Sequence, residues 1–105
     1  MARVTRQEPQ APPLRTATLQ RLERLAATLT RRGLDASLVV PPGRVPRLQV
    51  GHPVARLATD VYASRCQDGA WWFWWPWAER IAAEGDLDIA AQRIEQLLAQ
   101  PPAGG

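Results

Sequence analysis

Apolar residues recur at helical spacing in the first third of the chain. On a helical wheel they form one stripe, with Leu19 at its edge, as expected for a helix that packs one side against a core. The stripe consists of Leu14, Leu22, Leu25, Ala26 and Leu29. Pro13 suits a first helical position, and Gly33 is a typical stop. The pattern therefore predicts a helix from about Pro13 to Gly33.

Four short segments after this helix are typical of β-strands. They are rich in β-branched, aromatic or alternating apolar residues and are bounded by proline, glycine and aspartate. The segments are 37–40, 47–50, 59–67 and 70–75. Asp68-Gly69 is a favoured dipeptide for a two-residue hairpin turn, so the third and fourth strands are predicted to pair directly.

Two helices are predicted after the strands. Pro76 fits the first turn of a short helix that runs through Ile81 and stops near Gly85, and Asp86 can cap the last helix. The apolar stripe of that last helix consists of Leu87, Ala90, Ala91, Ile94, Leu97 and Leu98. Proline-containing ends with no hydrophobic period predict a disordered arm at 1–12 and a disordered tail at 101–105, around one domain at 13–100.

The predicted fold class is α+β, in the order α-β-β-β-β-α-α. It has an N-terminal helix, an antiparallel sheet of three to four strands, and two C-terminal helices packed on one face of that sheet. In outline this layout is similar to small secretion-chaperone-like and other adaptor domains, which bind partners through a sheet or helix surface. That similarity concerns the fold and does not define a function.

The run WWFWWPW at 71–77 is the most unusual segment of the chain. With a two-residue turn at Asp68-Gly69, opposed residues of the two flanking strands share a face. The first face has no charge and is predicted to be core: Tyr62, Ser64, Cys66, Trp71, Phe73 and Trp75. The second face is predicted to meet solvent: Val61, Ala63, Arg65, Gln67, Trp72 and Trp74.

Two neighbouring exposed tryptophans would form an apolar patch near the upper size seen on ordinary monomers. Three explanations stay open at this point. Another part of the chain covers the rings as a second core layer, a second copy covers them, or they form a groove for a different protein or ligand. Arg65, placed opposite Trp72, permits a cation–π contact.

The aromatic run carries a resemblance to a known family. Residues 68–77, together with the leucine-rich helix, the segment 48–53 and the segment 86–98, resemble a family of small uncharacterised actinobacterial proteins. The resemblance covers most of residues 14–98 and is specific in the aromatic motif. It implies a bacterial cytosolic setting and no catalytic residue.

Composition and charge agree with that setting. All 13 basic residues are arginine, which is typical of a GC-rich genome, and the single Cys66 suits a reducing compartment. There is no apolar run long enough for a membrane span or a signal segment, so a cytoplasmic protein is predicted. The net charge is +3, with a basic first third and an acidic segment at 68–105. Arg21, Arg24 and Arg31 are expected to face solvent on the first helix.

No constellation for catalysis is present in the sequence. His52 is the only histidine and Cys66 the only cysteine, which is too few for a zinc site or a nucleophile with its base. Asp86 and Asp88 suit the start of a helix, and there is no glycine-rich phosphate loop. We therefore expect no enzyme activity, no cofactor and no metal.

The expected function is a non-enzymatic protein-interaction or regulatory module of adaptor or chaperone type, which binds another protein or a second copy of itself, as a homodimer, through the aromatic sheet face. The expected partner-binding residues are Trp72, Trp74, Arg65, Val61 and Ala63. The alternative is a binder of small ligands or single-stranded nucleic acid that stacks them on Trp72 and Trp74, with Arg65 and Arg56. Acids flank the aromatic strand, so nucleic acid and membrane partners are disfavoured.

Overall fold

Two helices and five strands make up the described part of the chain. The computed structural model describes residues 14–55 and 57–99, with the backbone alone at Leu14. The predicted disordered arm (1–12) and tail (101–105) lie outside the described residues. In chain order the elements are α1 (Leu14–Arg31), β1 (Asp35–Val39), β2 (Arg47–Gly51), β3 (Ala58–Arg65), β4 (Trp71–Trp74), β5 (Arg80–Ala83) and α2 (Leu87–Ala99).

The strands form one antiparallel sheet in the order β1-β2-β3-β4-β5, so every strand pairs with its neighbours in sequence. The predicted α+β class with an antiparallel sheet is confirmed. The sheet has five strands rather than three to four, and one helix follows it rather than two. Such a meander needs only short connections, which the proline- and glycine-containing turns supply.

The segment predicted as a short helix after Pro76 is instead β5. The Trp75 N–H donates to the Glu79 carbonyl at 2.8 Å, and the Ala78 N–H donates to the Trp75 carbonyl at 3.0 Å. Pro76 therefore opens a three-residue hairpin loop, because its fixed φ suits the first loop position of a turn as well as the first turn of a helix. The following strand pairs with the free edge of β4, where a helix would have left the β4 backbone groups without partners.

A glycine motif ends α1 and turns the chain into β1. Gly33 has a φ of 88°. The Leu34 N–H donates to the Leu29 carbonyl at 3.1 Å, and the Gly33 N–H donates to the Thr30 carbonyl at 3.0 Å. This is the Schellman pattern, in which the residue after the glycine returns to pack on the helix. Leu34 is accordingly buried, and the predicted stop at Gly33 is confirmed.

The core lies between one face of the sheet, called here the inner face, and the two helices. Both predicted helical stripes supply it, through residues such as Leu22 and Leu25 of α1 and Ile94 of α2. The Arg93 guanidinium of α2 also donates to the Ile81 carbonyl of β5, which ties the last helix to that strand. The buried residues of the inner face are Leu48, Val50, Val61, Ala63, Trp71, Phe73, Ile81 and Ala82.

Both hairpins around β4 use the same three-residue loop. In the β3–β4 loop the Cys66 N–H donates to the Ala70 carbonyl at 2.7 Å, and the Gly69 N–H donates to the Cys66 carbonyl at 2.9 Å. The third loop residue has a positive φ in both hairpins, 87° at Gly69 and 69° at Ala78. Glycine adopts this conformation without cost, whereas alanine is strained in it.

The two loops predict a matched pair of substitutions. Ala78→Gly should raise the free energy of unfolding by about 0.5–1 kcal/mol, because relief of the left-handed strain outweighs the added entropy of the unfolded chain. Gly69→Ala should lower it by about 1–2 kcal/mol. A Cβ at Gly69 meets no atom within 4 Å, so only backbone strain enters. Urea unfolding of both variants checks this, and effects of the same sign would contradict it.

Candidate functional site

The pairing of β3 with β4 differs by one residue from the predicted register. Ala63 lies opposite Phe73 and Ser64 lies opposite Trp72. The reason is the loop between the strands, which has three residues rather than two. Gly69 takes the left-handed third position of that loop, and the Asp68 Oδ1 accepts the Ala70 N–H at 3.0 Å. Asp68-Gly69 thus fits both kinds of hairpin, and the dipeptide alone does not select the register.

This one-residue change reverses the faces of β3 relative to β4, because side chains alternate with a period of exactly two. Val61 and Ala63 are 0% and 5% exposed and pack in the core beside Trp71 and Phe73. The prediction that Val61 and Ala63 share an exposed face with the other two tryptophans is therefore wrong. The assignment of Trp71 and Phe73 to the core side is confirmed.

Tyr62 and Ser64 were predicted in the core and lie instead on the opposite sheet surface, with Trp72 and Trp74. We call this surface the outer face. None of its side chains is fully buried by the described residues. Its charged, polar and large apolar residues are Asp35, Ser37, Val39, Arg47, Gln49, Asp60, Tyr62, Ser64, Trp72, Trp74 and Arg80.

The arginine beside the outer tryptophans is Arg80, not Arg65. The Arg80 Cζ lies 4.6 Å from the centroid of Trp72 and 5.5 Å from that of Trp74. Arg65 is exposed at the end of β3, opposite Trp71, on the inner side of the sheet. Sequence reasoning missed Arg80 because it placed residues 76–85 in a helix. Arg56, the other predicted ligand-binding arginine, lies outside the described residues.

A row of two aromatic side chains between two cationic ones crosses the outer face. Tyr62 pairs with Trp74, and Trp74 pairs with Arg80. On β2, Arg47 precedes Leu48, which pairs with Val61. Arg47 therefore lies opposite Tyr62, on the side of β3 away from β4. The row therefore runs through four strands as arginine, tyrosine, tryptophan and arginine, which places two guanidinium groups at the two ends of an aromatic pair.

Two polar atoms of this row are buried without a hydrogen-bond partner among the described residues. They are the Nε of Arg47 and the Nε1 of Trp74. The Arg47 Nε lies 3.5 Å from the Asp60 Oδ2, which is close enough for an ion pair but lacks hydrogen-bond geometry. Buried donors of this kind are normally satisfied by protein or ordered water.

The remaining tryptophans are engaged within the chain. Trp71 lies in the core under Arg21, whose Cζ is 4.2 Å from the ring centroid. The Arg21 Nε is 2.8 Å from the Glu84 Oε1. Arg21 therefore does not face open solvent as predicted, because Trp71 and Glu84 hold its guanidinium between α1 and the sheet.

Trp75 and Trp77 stack on each other at the β4–β5 turn. Their ring centroids are 5.2 Å apart and their planes differ by 8°. The Trp77 Nε1 donates to the Glu79 Oε1 at 2.6 Å. Trp75 packs against the core cluster, whereas Trp77 is 52% exposed. Trp72 and Trp74 are thus the tryptophans that the outer face presents.

His52 and Asp86 have local structural roles. The His52 Nδ1 accepts the N–H groups of Val54 and Ala55, at 3.1 and 2.9 Å, and so closes the turn after β2. The Asp86 carbonyl accepts the Ala90 N–H at the start of α2. Across residues 14–55 and 57–99, no three metal-binding side chains come together as a metal ion would require.

Comparisons of the chain with models of known protein families, with curated proteins and with solved structures find no match. The resemblance to the actinobacterial family therefore stays a prediction, and function is argued from the site itself. Neither of the two helices in the described part of the chain has the length and apolarity needed to cross a bilayer.

Val61 and Tyr62 lie on different faces of β3, so the same substitution is predicted to destabilise the protein much more at position 61 than at position 62. Val61→Asp should lower the free energy of unfolding by more than about 3 kcal/mol, because it buries an unpaired charge. Tyr62→Asp should cost less than about 1.5 kcal/mol, because position 62 is half-buried on the outer face beside Arg47. Urea unfolding measures both values. The reverse order would indicate the register of a two-residue turn.

Proposed function

We propose that the protein is a non-enzymatic interaction module that self-associates through the outer face of its sheet. Trp72 and Trp74 form the centre of the contact, Tyr62 extends it along β3, and Arg80 supplies its cationic border. The module acts as a homodimer of adaptor or chaperone type. This proposal replaces Arg65, Val61 and Ala63 of the predicted site with the residues that share a surface with the two tryptophans.

A single observation carries the proposal. The inner face of the sheet is occupied by both helices, while three aromatic side chains and Val39 stand on the outer face, where none of them is fully buried. Sheets normally bury one face and leave a polar face to water. An aromatic second face with a polar border resembles an interaction surface, in which tyrosine, tryptophan and arginine are enriched.

The charges of the outer face suit a second copy. Arg47 and Arg80 balance Asp35 and Asp60, so the face carries no net charge. Arg80 lies on β5 at one edge of the sheet, and Asp35 lies on β1 at the other. A face without net charge can pack face to face against its own copy about a two-fold axis without net repulsion.

The arrangement favours protein association over stacking of a base or sugar ring. A stacked ligand needs a free ring face. The Arg80 guanidinium already lies over the rings of Trp72 and Trp74, so a ligand would have to displace it or stack on top of it. In an interface between two copies Arg80 keeps its stacking and directs its N–H groups to the partner.

The setting we propose is the cytoplasm of a bacterium. The arginine-only basic composition and the single cysteine support it. The similarity in outline to secretion-chaperone-like and adaptor domains also favours a module that acts on another protein while dimeric, since those domains use sheet or helix surfaces. The proposed partners are accordingly a second copy of this chain and another protein.

The solution mass of the full chain, measured by light scattering and sedimentation over a hundredfold concentration range, tests self-association. We expect a dimer. Trp72→Ala should weaken dimerisation at least about tenfold, as truncation of a central aromatic anchor does. Trp77→Ala is the matched control, since it removes an exposed tryptophan next to β4 that does not belong to the outer face. It should leave the dimerisation constant within about twofold.

Two outcomes would contradict the proposal. The first is a monomer throughout the concentration range. The second is a dimer that weakens with Trp77→Ala and not with Trp72→Ala, which would place the contact at the β4–β5 turn. Circular dichroism and the free energy of unfolding of each variant distinguish a lost contact from a lost fold.

A further inference from the structure

A second surface feature lies at the end of the sheet where β3 extends past β2. The pairing of these strands ends at Leu48 and Val61, so the last residues of β3 have no β2 residue beside them. A cleft of about 320 Å³ opens there between β3, the first half of α1 and the β1–β2 loop. It is lined by Thr18, Val45, Ala63, Ser64, Arg65 and Trp71.

Three arginines border this cleft. Arg65 lines it directly. Arg15 lies one helical turn before Thr18, and its Nη1 is 3.5 Å from the carbonyl oxygen of Arg44, the residue before Val45. All three are exposed, and none forms an ion pair with a carboxylate in the described part of the chain.

Three carboxylates of the neighbouring elements are engaged within the chain. Glu84 pairs with Arg21, and Asp60 pairs with Arg47. The Asp68 carboxylate accepts the Ala70 N–H in its own turn. The positive charge at the border of the cleft is therefore not compensated by these groups, and it favours an anion from outside the chain.

The backbone of β3 adds donors to the cleft. The Cys66 N–H points to β4, since it donates to the Ala70 carbonyl. In an antiparallel strand the N–H groups alternate between the two sides, so those of Ala63 and Arg65 point away from β4, toward the cleft. No backbone acceptor for either is present among the described residues.

The wall and the border of the cleft differ in chemistry. Trp71, Ala63 and Val45 supply apolar surface, and Val45 is 63% exposed. Sites for small molecules combine an apolar wall with a few convergent polar groups, and their volumes start near 300 Å³. Arg65 can bind a carboxylate through two parallel N–H···O bonds.

We propose that this cleft binds a small organic monocarboxylate with an aryl or short alkyl body. The carboxylate is held by Arg65 and the free β3 edge, and the apolar body lies against Val45 and the small exposed part of Trp71, since Arg21 covers the Trp71 ring. Arg15 and Arg44 raise the local anion concentration. The site shares only Ser64 with the outer face, and its occupancy does not depend on self-association.

Titration of the ¹⁵N-labelled full chain with 4-phenylbutyrate, followed by NMR, tests the proposal. We expect saturable shifts of the Arg65 amide and of the Trp71 indole N–H at millimolar ligand. The neutral 4-phenylbutanamide should bind at least about tenfold more weakly, as should the acid to Arg65→Gln, because each loses the charge-assisted contact. Arg24→Gln removes the same charge from an exposed position further along α1 and should leave the affinity within about twofold.

Three outcomes would overturn the proposal. They are the absence of saturable shifts, equal binding of acid and amide, and shifts centred on the indoles of Trp72 and Trp74. The last would place the ligand on the outer face. An acidic peptide that binds at the cleft while 4-phenylbutyrate does not would also overturn it, because the occupant would then be a protein segment.

Discussion

The register between β3 and β4 is the constraint on which the rest of the structure depends. A three-residue loop ending in a left-handed glycine places Ala63 opposite Phe73 and Tyr62 opposite Trp74. The small β3 residues Val61 and Ala63 thereby lie under the helices beside the large β4 residues Trp71 and Phe73, and all four are buried. Tyrosine joins the two tryptophans on the other surface. A slip by one residue would place Tyr62 in the core and expose Val61.

Arginine covers tryptophan on both surfaces of β4. Arg21 stacks on Trp71 on the inner side, and Arg80 lies over Trp72 and Trp74 on the outer side. A guanidinium can stack on an indole while its edge keeps hydrogen bonds, so it reduces the apolar surface in contact with water without becoming fully desolvated. This explains how an aromatic, strand-prone run is held in a small domain. The Arg21 edge forms an ion pair with Glu84, whereas the Arg80 Nη2 lies 3.8 Å from the Cys66 Sγ.

The two proposed sites depend on the same strand but on different properties of it. The outer face depends on the side chains of β3 and β4 and on the arginine that β5 adds. The cleft depends on the length of β3, which extends past β2 and leaves backbone donors beside Arg65. Both follow from a meander in which consecutive strands differ in length. Because the outer face has aromatic side chains at its centre while the cleft is bordered by arginines, we propose a protein partner for the first and a small anion for the second.

Much of the fold followed from the sequence alone. The α1 stripe with its glycine stop, the α2 stripe with Asp86 before it, and the antiparallel pairing of neighbouring strands were all predicted, because helical periodicity and turn chemistry are local properties. The sequence also predicts that Trp71 and Phe73 lie on one sheet face and Trp72 and Trp74 on the other, because side chains alternate along a single strand whatever that strand pairs with.

Only the tertiary structure decided the register and the fate of residues 76–85. Asp68-Gly69 fits hairpin loops of two or three residues, and Pro76 fits a turn or a helix start, so neither choice can be made locally. The open edge of β4 favours a strand after Pro76, and the space under the helices favours the register that buries Val61 and Ala63. As a result, Tyr62 lies on the outer face in place of Val61 and Ala63, and Arg80 lies beside the tryptophans in place of Arg65. Which residues of two strands share a face depends on how the strands pair.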